Sequence, residues 1–264
     1  MGTLTIKLLS YSISQSFKTT LPEMSSTSIL RSTLIAIASF LFSVSSQAGI
    51  ENVPPAKFLE LANRNDGIIL DVRTPEEVAQ GHISGASVLN IYDKDFERKL
   101  NLMQKDKPIY VYCRSGGRSS KAAQTMNANG FKSIYNLTGG IGAWNNAKLP
   151  LEKTDNVPAE KAAPLSRNDF EEKLAAKSVA LADFHTEWCM PCKQMAPIID
   201  NLEKEFANQA SIIRVDLDSS PELGSSFEVQ GVPVFILFVD GKEQWRHSGT
   251  IEVHVLQAKI ASTL

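Results

Sequence analysis

From residue 49 onward the chain alternates two kinds of pattern. Short, nearly unbroken apolar runs occupy 67–72, 108–112, 134–137, 179–184, 212–215 and 234–239. Runs of that length without polar alternation predict strands buried on both faces. Between them lie stretches whose apolar residues recur every three or four positions. These predict helices over 55–63, 119–129, 221–227 and 251–261, and one behind residue 192 that carries Met195, Ile198, Ile199, Leu202 and Phe206. Thr74-Pro75-Glu76-Glu77 reads as a helix start, with a capping residue, a proline for the first turn and a glutamate three residues on. Ser166 with Asp169 repeats the device ahead of Phe170, Leu174 and Ala175. Gly130 stops one helix and Asp240-Gly241 turns a hairpin between the last two strands. Strands alternating with helices make this an α/β chain.

The pattern falls into two blocks. Periodicity fails after residue 145, where Pro150, Pro158 and Pro164 stand among Glu152, Lys153, Asp155, Glu160 and Lys161. A hydrophilic, partly extended linker over 150–164 is expected there. It separates a domain over 49–149 with a parallel sheet from one over 165–264 with a mixed sheet. Ahead of both, 32–44 is apolar, follows Arg31 and leads to Ser46-Gln47-Ala48. The run falls short of the ~18–20 residues that a membrane span needs. It predicts a secretory signal peptide over 1–48, cut after Ala48, with Met24 as an alternative start. A periplasmic or secreted mature protein follows.

Composition narrows the function classes. Of 264 residues 43% are hydrophobic and the formal net charge is −2, which is a globular composition. With a pI near 6.1 and no basic block, the chain lacks the electrostatic footprint of a nucleic-acid binder.

Three cysteines carry the chemistry. Cys189 and Cys192 stand two residues apart, between the strand 179–184 and the next helix. The start of a helix is partially positive and offers unpaired N–H groups, so it favours thiolate over thiol. Such a pair attacks a disulfide with one sulfur and releases the mixed disulfide with the other. A structural disulfide or half of a zinc site is the competing reading. Zinc takes about four ligands, and here no second Cys-x-x-Cys exists and the four histidines are scattered. No metal and no cofactor is expected. The third cysteine, Cys113, ends the strand 108–112 and opens the loop Arg114-Ser115-Gly116-Gly117-Arg118-Ser119. Glycines let the loop N–H groups turn inward, and with the next helix start they form an anion cradle. All three thiols are expected to be ionised, solvent-reachable nucleophiles.

The second block resembles thioredoxin. The resemblance rests on Glu187 to Lys193 around the cysteine pair, on Asp183 six residues before Cys189, and on Gly231-Val232-Pro233 before the run 234–239. It implies a redox-active Cys189–Cys192 disulfide and a buried Asp183 that helps deprotonate the resolving thiol. It also implies a cis-proline turn at Val232 and Pro233 that lines a substrate groove. Arg214 stands where the family usually has a lysine, and Met190-Pro191 replaces the usual Gly-Pro. The first block resembles a single-domain rhodanese over 53–149, through Asp71 to Arg73, Gly81 to Ile83, the Cys113 loop and Gly139 to Trp144. That resemblance implies a sulfurtransferase in which Cys113 takes sulfane sulfur from a thiosulfate-like anion and becomes a persulfide. Arg114 to Ser119 would hold the anion. The loop is one residue shorter than that of the related phosphatases, which favours sulfur over phosphate.

Other polar residues have plainer readings. Asp71 and Arg73 form a structural ion pair near the site, and Glu76 and Glu77 are helix-start charges. His82 packs the fold by hydrogen bonding, Trp144 is core, Trp188 shields the thiols, and His185 faces partner or solvent. The combined expectation is a sulfurtransferase and thiol–disulfide oxidoreductase. A Cys113 persulfide would be resolved by Cys189 and Cys192, with protein thiols as partners and a membrane-bound reductant to recycle the pair. Two alternatives stand beside it. One is a protein disulfide oxidoreductase with a non-catalytic docking or anion-binding module. The other is a sensor of sulfane sulfur or oxidant.

Overall fold

The computed structural model describes residues 49–153 and 163–264. The signal peptide expected over 1–48, and most of the expected linker, lie outside these residues.

The first domain runs β1 (Gly49–Val53), α1 (Pro55–Ala62), β2 (Ile68–Asp71), α2 (Pro75–Ala79), β3 (Ser87–Val88), α3 (Phe96–Leu100), β4 (Ile109–Tyr112), α4 (Gly117–Ala128), β5 (Ser133–Leu137) and α5 (Gly140–Asn146). The strands form one sheet in the order β1-β5-β4-β2-β3, and every pairing is parallel. β4 lies at the centre with all its residues buried. Its side chains alternate between the two faces, as strand geometry requires. Ile109 and Val111 join Leu70, Ala122 and Met126 on one side, while Tyr110 and Tyr112 join Phe58 and Trp144 on the other. Cys113 continues the first set.

Four of these elements carry no periodic signal. β1 pairs with β5 along its whole length, yet only Val53 of it is buried, so no apolar run announces it. The β3, α3 and α5 segments span two, five and seven residues, too short to show a period. The α4 helix begins at Gly117, two residues ahead of the expected start. Residues 150–152 stay with the first domain. Trp144 Nε1 donates to the Pro150 carbonyl at 2.9 Å, and His82 and Glu152 exchange backbone hydrogen bonds of 2.8 and 2.9 Å.

The second domain runs α6 (Arg167–Ala175), β6 (Val179–His185), α7 (Met190–Glu205), β7 (Ala210–Asp216), α8 (Pro221–Ser226), β8 (Val234–Val239), β9 (Lys242–Ser248) and α9 (Val253–Ala261). Its sheet has the order β7-β6-β8-β9. β6 pairs parallel with β7, and the β8 pairings are antiparallel, so the sheet is mixed. All seven residues of β6 are buried. Ala180, Ala182 and Phe184 line the core that holds Cys189 and Cys192, whereas Val179 and Leu181 pack with Met195 and Ile199. Asp183 shares the second face by alternation. The two domains belong to one compact unit. Among the described residues no helix is long and apolar enough to cross a membrane.

Candidate functional site

The Cys113 loop sits at the carboxyl end of the central strand, where open parallel sheets place their ligands. Gly116 has φ +103°, a conformation that L side chains rarely adopt. This turns its N–H onto the Cys113 Sγ at 3.1 Å. Ser119 Oγ, in the first turn of α4, lies 3.4 Å from the same sulfur. Burial pushes the Cys113 thiol up. Hydrogen bonds from the Ser119 hydroxyl and from the N–H groups of Ser119, Gly116 and Ser115 outweigh it and hold the pKa below the usual thiol value. The glycines that open α5 clamp the loop from behind. Ile141 N–H donates to the Cys113 carbonyl at 2.8 Å and Gly142 N–H to the Arg114 carbonyl at 3.1 Å. A Cβ on Gly140 would stand 2.4 Å from the Cys113 carbonyl oxygen, so the approach requires glycine.

Charge around the loop is organised differently from the expectation. Arg114, Ser115 and Gly117 are exposed. Arg118 is committed to Glu77 through two bonds of 2.6 and 2.7 Å, and it lies over the Tyr92 ring. Glu77 is therefore more than a helix-start charge: the Arg118 guanidinium holds its carboxyl down to about 2. Asp71 and Arg73 make the structural ion pair. Arg73 Nη2 stands 2.6 Å from Asp71 Oδ2 and 2.8 Å from the Gly81 carbonyl, so the pair ties the end of β2 to the turn behind α2. His82 is buried with Nδ1 unpartnered, and it holds the fold through its backbone bonds to Glu152.

Cys189 and Cys192 form a disulfide at the start of α7. Cys189 caps that helix, its Sγ accepting the Cys192 N–H at 3.2 Å. Asp183 is buried in β6, and Arg214 Nε approaches its Oδ2 at 3.5 Å. Burial pushes the Asp183 carboxyl up to about 7, which makes it a proton acceptor that works near neutrality. His185 is 8% exposed, and burial with Arg214 nearby pushes it down to about 4. It is thus a neutral interior residue and does not face solvent. The Val232–Pro233 peptide is cis.

The expectation of solvent-reachable thiols is overturned. Cys113, Cys189 and Cys192 are 1%, 3% and 4% exposed. Each thiol sits in the apolar cluster of its own domain, and contacts between the domains, which the sequence pattern does not report, add to the cover. Trp188 packs both on the apolar cluster that contains Cys113 and on the one that contains Cys189 and Cys192. Its carbonyl accepts the Val88 N–H of β3 at 3.4 Å, and Met190 N–H donates to Ser87 Oγ at 2.9 Å. Val232 N–H donates to the Leu102 carbonyl of the first domain at 2.8 Å. Ser87, Val88 and Leu102 are site residues that sequence reasoning missed, because no local pattern marks them. Among the described residues no group of three or more histidine, cysteine or acidic side chains is placed to hold a metal.

Comparison with known proteins agrees with this division. A Rhodanese-like domain family model matches residues 54–147, and a Thioredoxin family model matches residues 161–262. Thioredoxin 1 of Chlorobaculum tepidum is 34% identical over 82 residues, which cover 31% of this chain and 81% of that protein. The thioredoxin of Chlamydia trachomatis is 39% identical over 85 residues, 32% of this chain and 81% of that protein. The uncharacterized protein YqhL of Bacillus subtilis is 45% identical over 85 residues, 32% of this chain and 65% of that protein. Among solved structures, a mutant thioredoxin from Halobacterium salinarum covers 39% of this chain and 96% of its own, with 27% identity and a TM-score of 0.36. The chain belongs to the thioredoxin family through its C-terminal domain, and it carries a rhodanese-like domain ahead of it.

Proposed function

We propose that the chain couples sulfur transfer at Cys113 to the Cys189–Cys192 pair, in the periplasm or outside the cell. A rhodanese-like domain and a thioredoxin domain in one chain support a sulfurtransferase and thiol redox role. The finer reading rests on one observation. Trp188, the residue before Cys189, is packed against the clusters of both reactive sites.

The steps balance as follows. The Cys113 thiolate attacks the outer sulfur of a thiosulfate-like donor, the S–S bond of the donor breaks, sulfite leaves, and Cys113 carries a persulfide. Lowered thiol pKa and donated hydrogen bonds suit the sulfur both as nucleophile and as anionic product. The Cys189 thiolate then takes the outer sulfur and regenerates Cys113. Cys192 attacks the Cys189 sulfur, hydrosulfide leaves, and the Cys189–Cys192 disulfide forms. Two electrons have moved from the dithiol to the sulfane sulfur. Asp183, with its pKa near 7, is the group that accepts the Cys192 proton. A membrane-bound dithiol reductant returns the pair to its reduced state. The test compares sulfide release from thiosulfate in the reduced wild type, Cys113→Ser and Cys189→Ser. Both variants should lose thiol-coupled release, and an unchanged rate in Cys189→Ser removes the relay.

A further inference from the structure

Three main-chain groups beside the disulfide are bonded to the other domain. Val232 N–H, in a residue 2% exposed, donates to the Leu102 carbonyl at 2.8 Å. Met190 N–H, at the first position of α7, donates to Ser87 Oγ, and the Trp188 carbonyl accepts the N–H of Val88. β3 is an edge strand of its sheet, so the Val88 bond also covers an edge that would otherwise stay open.

Side chains extend the seam. Leu102 packs on the apolar cluster that contains Cys189, Cys192 and Val232. Gln104 lies over two glycines of the second domain. A Cβ on Gly231 would meet its Cγ at 3.2 Å, and one on Gly249 would meet its Nε2 at 2.9 Å. The missing side chains are what lets this segment lie flat on the surface. Arg98 of α3 reaches the Leu217 carbonyl at 3.3 Å and Asp218 Oδ1 at 3.2 Å. The seam is not packed throughout, since Leu102 and Gln104 also border an open groove of about 770 Å³ shared with Gly231 and Val234. An open groove beside a few bonds and two part-exposed ion pairs, from Arg98 and Lys99 to Asp218, makes a contact of modest strength.

We propose that residues 101–104 and the β3 edge are the resident occupants of the surface around the Cys189–Cys192 pair. The pair opens to outside dithiols and to protein disulfides only when the domains part. In the closed form the pair serves the first domain alone. The gate acts on access and not on chemistry, and it does not depend on Cys113 carrying sulfur.

The experiment uses the full chain, with the small phosphine TCEP as reductant and hydrogen exchange at the Val232 amide as the reporter of docking. Leu102→Asp places a charge on the apolar cluster, Arg98→Glu sets like charge against Asp218, and a third protein carries both. Far-UV circular dichroism checks that each folds. The Val232 amide should be protected in wild type and exposed in the double variant. Reduction of the disulfide should then be about tenfold faster in the double variant, because opening no longer limits access. An unprotected Val232 amide in wild type overturns the proposal. So does an amide still protected in the double variant, or one exposed with no change in reduction rate. Sulfide release is not among the readouts, so the gate and the sulfur relay fail separately.

Discussion

The Ser119 hydroxyl lies 3.4 Å from the Cys113 sulfur and 3.1 Å from the Gly116 carbonyl, and it has one proton for the two acceptors. A thiolate takes that proton in preference to a neutral carbonyl, because a charged acceptor makes the stronger bond. The loop is thereby tuned to hold charge on sulfur, in a residue whose burial alone would favour the neutral thiol. Ser119→Ala removes the side-chain bond and keeps the N–H bonds. Loss of a hydrogen bond to a charged group of about 1.5 kcal/mol lowers the ionisation constant of the Cys113 thiol about tenfold. The pH profile of Cys113 alkylation, taken after reduction, should move to higher pH by a corresponding amount.

Gly140 sets the back wall of the same loop. Its φ is +59°, and an added methyl would stand 2.4 Å from the Cys113 carbonyl oxygen and 2.7 Å from Arg114 backbone atoms. Gly140→Ala combines a left-handed conformation with overpacking. It should cost at least about 2 kcal/mol of stability by urea denaturation, and sulfur transfer should fall with the displaced loop.

Glu77 and Arg118 give the first domain an acid-sensitive contact. The Glu77 pKa is depressed from 4.5 to about 2, so its contribution is present above 4.5 and is lost as pH falls toward 2. Glu77→Gln should be less stable than wild type by about 1–3 kcal/mol at neutral pH. The difference should close as pH drops through that window. The same variant releases Arg118 from its bidentate partner. If Arg118 then reaches the donor anion, KM for thiosulfate falls in step with the lost stability.

Asp183 has the opposite sign. Its folded pKa is raised from 3.8 to about 7, so the folded state loses stability, relative to the unfolded chain, as pH rises across that interval. Asp183→Asn removes the penalty. It should be more stable than wild type above neutrality by about 1–3 kcal/mol, with no difference near pH 4. The variant should also be slower in dithiol–disulfide exchange, and its rate profile should lack the inflection near 7 that wild type shows. Thermal unfolding and stopped-flow exchange at several pH values measure the two effects.

What the sequence discloses follows from where the physics is local. The runs at 109–112 and 179–184 are buried on both faces, so they are apolar but for Asp183, and they are legible. The caps at Thr74 and Ser166 are legible because each is a bond between residues three apart, and both close in the structure. The cysteines are marked by spacing and by the strand-to-helix turns that present them. β1 is illegible because an edge strand exposed along most of its length needs no apolar residues. The ion pair from Arg118 to Glu77 spans 41 positions, and the contact from Ser87 to Met190 spans 103. No window of sequence holds both partners. The packing of Trp188 and Leu102 across the domains was missed for the same reason.

The central claim is that sulfur passes from Cys113 to Cys189, and it can be read by mass in a single turnover. Reduced Cys192→Ser protein is mixed with one equivalent of thiosulfate, quenched with an alkylating agent, digested and weighed. The relay predicts one extra sulfur on the peptide that carries Cys189, none on it when Cys113 is also replaced by serine, and a Cys189–Cys192 disulfide when the wild-type chain is treated alike. Sulfur that remains on Cys113 while Cys189 stays a plain thiol would contradict it.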